Sequence, residues 1–494
     1  MKKIIAFVTS IGTFMLVVAG CGTFASSTST TGALPDTSAS SVAMSAVSTE
    51  NSTSTKSSDI KPDLASWAGK GDIALIYNDK ATEGMDGGKL YTILDKDQGP
   101  ERFEITDHVI SANFSPNGKW LSVLTLEQRT SGSKSLGSTN SEQPIQVLWL
   151  MSSDGQVKQK LLTGTVVPGA WVTESVSTGD SGNAGDTSDT YVYGSNPIFS
   201  VKPGQKPVQL SDKLPSNTNA LQYEANKLTN SIAIVMASPT PGKDMTQRFD
   251  SIGVLNPDTG SVRILKKGKP SEGFVLGPWL NMSTLFYWPD PMHSASLLAD
   301  GSELSTITLD GKTEKITTTL VGQGSVGTSG FGKSDGLSKA AIQVGPGRTL
   351  FTSKTIGLWD GQTLELLPHD DHSVAFWPTI DQKGTQVAFD EGPELLPNAA
   401  TSDTQTWWQQ LQLGTYDVQT RQTNILKAAG QGVILPQYNK SGDAIVYLEN
   451  NSLYWISSDG EGNAHKVANF GGNVWNPYPQ MGSTMSLEIE DYLP

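Results

Sequence analysis

The sequence predicts an all-β fold in which four-stranded antiparallel units are repeated around a ring. Three observations lead to this prediction: a first hairpin motif that recurs, a second hairpin motif that follows each copy of the first, and a lack of helical periodicity from Leu64 onward. The chain has 494 residues, of which 36% are apolar, and its 12 Trp residues add to the supply of core side chains. That composition is enough for a sizeable folded region.

The first motif is a large apolar residue followed four positions later by glycine, with apolar residues again at positions seven and nine. Residues 114–123 read F-S-P-N-G-K-W-L-S-V, and the spacing recurs at 380–389, 438–447 and 478–487. A glycine at this place supplies a positive φ without steric cost. The pattern therefore predicts a strand, a tight turn and a second strand.

The second motif follows the first and ends in a turn of the Asp-Gly type. Residues 148–155 read L-W-L-M-S-S-D-G, segments 304–311 and 453–460 align with them without gaps, and 413–420 is a looser copy. Each copy predicts a strand, a turn and a further short strand. Two successive hairpins give one four-stranded antiparallel unit.

The units recur with a mean step of about 54 residues. We place their starts near Ile110, Thr165, Ala220, Phe274, Lys339, Ser373 and Val433. A period of this size with four strands per repeat is typical of a β-propeller.

The two ends of the folded region are predicted to share one blade. Residues 474–487 supply its first two strands, and Ile73–Tyr77, 90–94 and 103–105 supply outer strands. Sharing a blade in this way removes free sheet edges. The sequence thus predicts eight blades, or seven if the second or fifth unit is misassigned.

The turn F-S-P-N-G-K-W-L at 114–121, followed by L-W-L-M-S-S-D-G at 148–155, resembles the repeat of TolB-like, WD-type propellers. The same repeat forms the propellers of dipeptidyl peptidase relatives. The resemblance covers roughly residues 64–490. It implies a periplasmic or surface-exposed propeller that binds protein or acts as a gate.

The N-terminus predicts export and lipid anchoring. Lys2 and Lys3 precede an apolar run at 4–18, which is typical of a signal peptide. The following V-A-G-C, ending at Cys21, resembles the lipobox of bacterial lipoproteins, in which the cysteine is acylated, for example with palmitate, before cleavage. We therefore predict a signal peptide at 1–20, lipid attachment at Cys21 and an extracytoplasmic protein held on the cell membrane.

A Ser/Thr-rich segment follows the predicted lipid attachment site. Residues 21–63 contain few large apolar side chains and are predicted to form a disordered tether, with the propeller at 64–494. Cys21 is the sole cysteine, so no disulfide forms within the chain. We expect a monomer.

Charge excludes one class of partner. The formal net charge of -14 and a pI near 4.9 argue against nucleic acid, which requires a basic surface.

Three motifs are typical of catalytic or binding sites, but their surroundings favour polar loops. Residues 327–334 match the phosphate-binding pattern G-x-x-x-x-G-K-S, but a strand-like segment follows where a helix is required. No histidine in an Ala-Ala-His-type context precedes the G-D-S-G at 179–182 to serve as its base. The H-D-D-H at 369–372 offers metal-ligand types from adjacent positions of a short loop. We predict no catalytic, cofactor or metal site at any of the three.

Large aromatic residues near blade starts are predicted to pack between blades rather than to stack on sugars; these are Trp171, Trp279, Trp377 and Trp475. The tandem Trp407-Trp408 is different, because in a strand one ring of the pair faces away from the core. An exposed Trp at this place would mark a partner surface.

These observations predict a membrane-anchored propeller that acts as a binding or scaffold module, without enzymatic activity, for a protein, peptide or cell-envelope ligand. The alternative is a propeller hydrolase or lyase with a carboxylate or metal site at its central channel. The alternative requires polar side chains that converge on the channel axis.

Overall fold

The structure, a computed structural model, consists of antiparallel sheets arranged in a ring. It describes residues 60–77, 87–127, 144–173, 189–210, 218–226, 229–239, 248–270, 272–291, 302–321, 326–328, 339–345, 354–368, 372–395, 407–471 and 486–489. The predicted signal peptide and Cys21 lie outside these residues. Within the described parts, no helix is long and apolar enough to span a membrane.

The described residues form seven hydrogen-bonded sheets, which we number 1 to 7. Sheet 1 has seven strands in the order β31-β1-β2-β3-β4-β5-β6: Ser486–Ile489, Ile73–Tyr77, Gly88–Lys96, Gly99–Phe114, Trp120–Glu127, Ile145–Ser152 and Lys158–Gly164. Sheet 2 has β7 to β10: Ala170–Thr173, Asp189–Gly194, Ile198–Val201 and Val208–Gln209. Sheet 3 has β11 to β14: Asn219–Asn226, Ser231–Pro239, Arg248–Leu255 and Val262–Lys267.

The remaining four sheets follow the same four-stranded plan. Sheet 4 has β15 to β18: Glu272–Trp279, Thr284–Pro291, Ser302–Thr308 and Thr313–Val321. Sheet 5 has β19 to β22: Val326–Thr328, Ala340–Val344, Thr355–Trp359 and Leu364–Leu366. Sheet 6 has β23 to β26: Ser373–Ile380, Gln386–Pro393, Gln412–Asp417 and Gln422–Ile425. Sheet 7 has β27 to β30: Val433–Tyr438, Ala444–Glu449, Ser452–Ser457 and His465–Asn469. Short 3-10 turns occur at Leu64–Trp67, Trp408–Gln410 and Lys427–Ala429.

The first strand of each set lies innermost and contacts the first strand of the next set. These contacts run from β7 through β11, β15, β19, β23 and β27 to β31, which also contacts β3. Between β3 and β7, the indole N–H of Trp171 donates to the carbonyl of Asn113 (3.3 Å). The ring is therefore closed, and the predicted β-propeller of four-stranded antiparallel blades is confirmed.

The blade count depends on how sheet 1 is divided. Its long strand β3 pairs with β2 over residues 99–109 and with β4 over residues 109–114. Counted as sheets, the described residues give seven, the predicted alternative. Dividing sheet 1 at β3 yields two four-stranded sets and recovers the repeat count of eight.

Ring closure combines both ends of the chain, as predicted. Strand β31 pairs antiparallel with β1, from Ile73 opposite Ile489 to Ile76 opposite Ser486. Three N-terminal strands and this one C-terminal strand complete a set of four. Of the two C-terminal strands predicted within 474–487, the second corresponds to β31, and the first falls in residues 474–485, which lie outside the described residues.

The predicted start of the fifth unit near Lys339 is wrong. Lys339 precedes β20, and the innermost strand of sheet 5 is the three-residue β19. This strand is too short to display alternation in the sequence. The predicted starts at Ser373 and Val433 coincide with β23 and β27.

The repeated turns have the predicted glycine geometry. Gly118 has a φ of 62°, and its N–H donates to the carbonyl of Ser115 (2.8 Å). Gly384 and Gly442 repeat this arrangement with φ of 66° and 74°. Apolar clusters fill the spaces between neighbouring sheets, for example Leu276 and Trp279 of sheet 4 against Ala233 and Val235 of sheet 3.

Candidate ligand-binding surface

Two adjacent innermost strands place a large apolar residue in a left-handed backbone conformation. The ladder of β23 skips from Phe376 to Thr379, and that of β27 skips from Ile434 to Gln437. Each skipped pair ends in proline, which has no N–H to donate to a ladder. The residues before the prolines, Trp377 and Leu435, have φ of 42° and 53°.

Positive φ in bulky residues carries a cost of about 1–3 kcal/mol each. In sheet 4 the same skip from Leu276 to Trp279 contains Gly277 and Pro278, and neither of these residues has a positive φ. Because Trp and Leu adopt this conformation in neighbouring sheets, the surrounding packing must hold both of them in place. Strained residues of this kind cluster at binding and active sites.

An aromatic cluster holds Trp377. Its ring stacks on Trp408 with centroids 5.9 Å apart and planes inclined by 17°. Trp408 meets Trp407 edge to face at 5.0 Å, and Trp407 meets Phe376 edge to face at 5.3 Å. Trp377 remains partly exposed, as does Leu435, and both pack on the same core cluster. We call the partly exposed Trp377 and Leu435, together with the buried Trp408 behind them, the aromatic surface.

The tandem tryptophans at 407–408 are both buried. The exposed ring that would have marked a partner surface at this place is therefore not found. They lie in a helical turn after β24 rather than in a strand, with exposed fractions of 0% and 3%. The indole N–H of Trp407 donates to the carbonyl of Pro393 (2.7 Å). A turn directs consecutive side chains about 100° apart, which lets both rings enter one core. The ring that reaches solvent is instead Trp377.

A buried carboxyl lies behind the aromatic surface. Asp390 on β24 is fully buried, and its Oδ2 accepts a hydrogen bond from the backbone N–H of Leu435 (3.1 Å). Its Oδ1 has no hydrogen-bond partner in the structure. Burial raises the pKa of Asp390 well above the ordinary value, with the Leu435 N–H acting in the opposite direction.

The polar side chains of the innermost strands are mainly amides and hydroxyls. Ser111, Asn113, Gln222 and Gln437 are partly or fully exposed, and Glu224 adds a carboxylate. The Gln222 side chain spans to the next sheet, where it accepts from the N–H of Leu276 (2.8 Å) and donates to its carbonyl (3.1 Å). Among the described residues, no group of three or more His, Cys, Asp or Glu is arranged to hold a metal ion.

The structure assigns Trp171 and Trp279 to interblade packing, as predicted. Both are buried, and the indole N–H of Trp279 donates to the carbonyl of Glu224 in sheet 3 (3.0 Å). Trp171 donates to Asn113 and to the hydroxyl of Ser122 (3.2 Å) in sheet 1. Trp475 lies outside the described residues.

Most of the other motifs also fall outside the described residues. This holds for residues 179–182, for 369–371 and for all of 327–334 except its first two positions. Gly327 and Thr328 belong to β19 and thus to a strand of sheet 5. His372 is exposed, and its carbonyl accepts from the N–H of Glu394 (2.7 Å).

Asp390 and the two left-handed residues were not found by sequence reasoning. A usable signal was present in the recurrence of a residue followed by proline within or just before the first strands: Val167-Pro168, Gly277-Pro278, Trp377-Pro378 and Leu435-Pro436. Proline is confined to edges and bulges in sheets, so its recurrence predicts a bulge at this place.

No protein-family model matches the chain, and no curated protein matches its sequence. The TolB-like resemblance and the lipoprotein assignment therefore remain predictions.

Several solved structures are similar in fold. An oligogalacturonate lyase in complex with manganese is 13% identical with a TM-score of 0.38, over 81% of this chain and 97% of that one. The β-propeller domain of the Trilobed protease from Pyrococcus furiosus is 9% identical with a TM-score of 0.40, over 82% and 97%. A puromycin-hydrolyzing peptidase from Mycobacterium tuberculosis is 12% identical with a TM-score of 0.43, over 75% and 54%. At these values the similarities carry no functional argument, and the fold assignment rests on the sheets themselves.

Proposed function

We propose that this protein is a membrane-anchored extracytoplasmic binding module, and that its ligand, a protein, peptide or cell-envelope polymer, seats on the aromatic surface. The observation that carries the proposal is the partly exposed Trp377, which is held at positive φ and stacked on Trp408. Anchoring rests on the predicted acylation of Cys21.

A supported aromatic ring suits binding for a simple energetic reason. Trp377 is already stacked on a buried ring, so a ligand does not have to order a free side chain, which otherwise costs about 0.5–1.5 kcal/mol. Large rigid aromatic rings are the side chains that most often dominate binding energy. Leu435, on the next innermost strand, adds an apolar neighbour in the same core cluster.

Site-directed photo-crosslinking in intact cells tests this proposal. A benzoylphenylalanine replaces Trp377, which keeps an aromatic ring at the position. The matched control carries the same residue in place of Leu366, which is 58% exposed on the outer strand β22. We expect a covalent adduct from position 377 and none from position 366.

The chemical nature of the adduct assigns the ligand class, because protease or glycosidase digestion releases different fragments. Equal adduct yields at the two positions, or no adduct at 377, would contradict the proposal. Incubation of the identified ligand with the wild-type protein separates binding from catalysis: cleavage of the ligand would overturn the non-enzymatic assignment in favour of a hydrolase or lyase.

A further inference from the structure

We propose that Asp390 is a positioning residue of the aromatic surface, because its carboxyl fixes the backbone of Leu435, and Leu435 packs on the same core cluster as Trp377. This inference rests on the proposed function of that surface.

Asp390 lies next to both left-handed residues. In the β23–β24 ladder it is opposite Phe376, the residue directly before Trp377. Across the space between sheets 6 and 7, its Oδ2 accepts the N–H of Leu435, which has no ladder partner in the skip from Ile434 to Gln437. Asp390 is thus paired with the first bulged strand through its backbone and bonded to the second bulge through its side chain.

The N–H of Leu435 needs this acceptor. A bulge leaves backbone groups outside the ladder, and a buried donor without a partner costs about 1–3 kcal/mol. Pro436 follows directly and has no N–H to contribute, so the side chain of Asp390 supplies a hydrogen bond that the ladder does not.

The same task is performed elsewhere in the ring by a neutral side chain. In sheet 4 the skip begins at Leu276, whose N–H and C=O are both bonded by the amide of Gln222 from sheet 3. A side chain of the preceding sheet therefore holds the bulge in both cases. In sheets 4 and 7, the positions equivalent to Asp390 in the ladder are Tyr287 and Leu448, so a large side chain is accommodated at both and a leucine at one of them.

A second carboxyl provides a matched control. Asp189 on β8 is buried, and its Oδ2 accepts the N–H of Asn117 from the neighbouring sheet (2.9 Å). Its Oδ1 also lacks a partner, and burial likewise raises its pKa. Asp189 accepts a hydrogen bond from the turn at 115–118, which is distant in sequence from the aromatic surface. Replacing Asp189 therefore shows the effect of losing a buried carboxyl that does not contact that surface.

Fluorine NMR of the full chain labelled with 5-fluorotryptophan measures the placement of Trp377. Its resonance is assigned by its absence in Trp377→Phe. In Asp390→Leu we expect the Trp377 resonance to move by more than its linewidth, while the resonances of Trp171 and Trp279 stay in place. In Asp390→Asn, whose amide oxygen still accepts from Leu435, we expect the wild-type position.

The Asp189→Leu variant should leave the Trp377 resonance unchanged. The proposal is overturned if Asp390→Leu leaves that resonance in place, or if Asp189→Leu moves it equally. Asp390→Ala takes the place of Asp390→Leu if the latter does not fold, with the same expected shift. Because these readouts need no ligand, they are independent of the crosslinking result: loss of the adduct at 377 with an intact fluorine response would contradict the proposed function and not the positioning role.

Discussion

Gly169 precedes the innermost strand of sheet 2, and replacing it with alanine should destabilise the ring. A Cβ at this position would lie 1.7 Å from the carbonyl oxygen of Val192 on the neighbouring strand. Real Cβ atoms essentially never approach closer than 3.0 Å, so the two backbones must separate by roughly 1.3 Å. The Gly169 N–H also donates to the Tyr191 hydroxyl (2.7 Å), a bond that such a shift lengthens.

The expected cost combines two terms. Overpacking that forces a backbone shift costs about 1–3 kcal/mol, and weakening a hydrogen bond costs about 0.5–1.5 kcal/mol. We therefore expect Gly169→Ala to lower the free energy of unfolding by about 1.5–4.5 kcal/mol. Urea unfolding followed by circular dichroism measures this change, provided that the slope with denaturant is unchanged.

Gly462→Ala is the control, because the added Cβ has no close neighbour at this position. Gly462 has a φ of 88°, and a Cβ there meets nothing within 4 Å, so only backbone strain of about 1–2 kcal/mol applies. The packing argument would be refuted if Gly169→Ala unfolds at the wild-type urea concentration, or if its cost is no larger than that of Gly462→Ala.

Three further predictions concern charge, closure and anchoring. Burial raises the pKa of Asp390, so the folded protein holds the carboxyl proton at pH values where the unfolded chain, above pH ~4, has lost it. The free energy of unfolding of the wild type should therefore fall relative to that of Asp390→Asn as pH rises from about 3.5 toward neutral. A difference in unfolding free energy that is equal at both ends of this range would rule out the effect. Removing residues 486–494 deletes β31 and its four pairs with β1, and should cost about 2–5 kcal/mol in urea unfolding; unchanged stability would show that β31 does not close the ring. Cys21→Ala should move the protein from the membrane fraction to the supernatant, and sedimentation with membranes as before would contradict lipid anchoring at this residue.

The sequence revealed those parts of the fold that follow from local backbone chemistry. A glycine needed at positive φ marks a turn wherever it occurs, so the hairpins at Gly118, Gly384 and Gly442 were predictable. Their order and spacing then led to the four-stranded set and to closure by the two ends. The three-residue β19 could not be predicted, because a strand so short has no periodicity and is defined only by its pairing with β20.

The candidate surface was less accessible to sequence reasoning. The sequence predicts packing for Trp377 as it does for Trp171 and Trp279, because the three residues occupy similar positions near blade starts. Its partial exposure depends on the bulge at Trp377-Pro378 and on the stacking of Trp408, which is distant in sequence. Asp390 has no sequence signature, because its role is set by a hydrogen bond to the neighbouring sheet.

Thiol accessibility in intact cells tests the central claim most directly. Gln437 lies two residues beyond Leu435 on β27 and is partly exposed, and the natural chain has one cysteine, Cys21, whose thiol is predicted to be acylated. A Gln437→Cys variant is treated with a membrane-impermeant maleimide in intact cells and as purified protein, with Leu366→Cys as the exposed reference. We predict that both variants react in cells, and that Gln437→Cys alone reacts several-fold more slowly there than when purified, because a ligand covers the surface. Equal ratios for the two variants, or no reaction of either in cells, would contradict an extracytoplasmic binding module with its ligand on the aromatic surface.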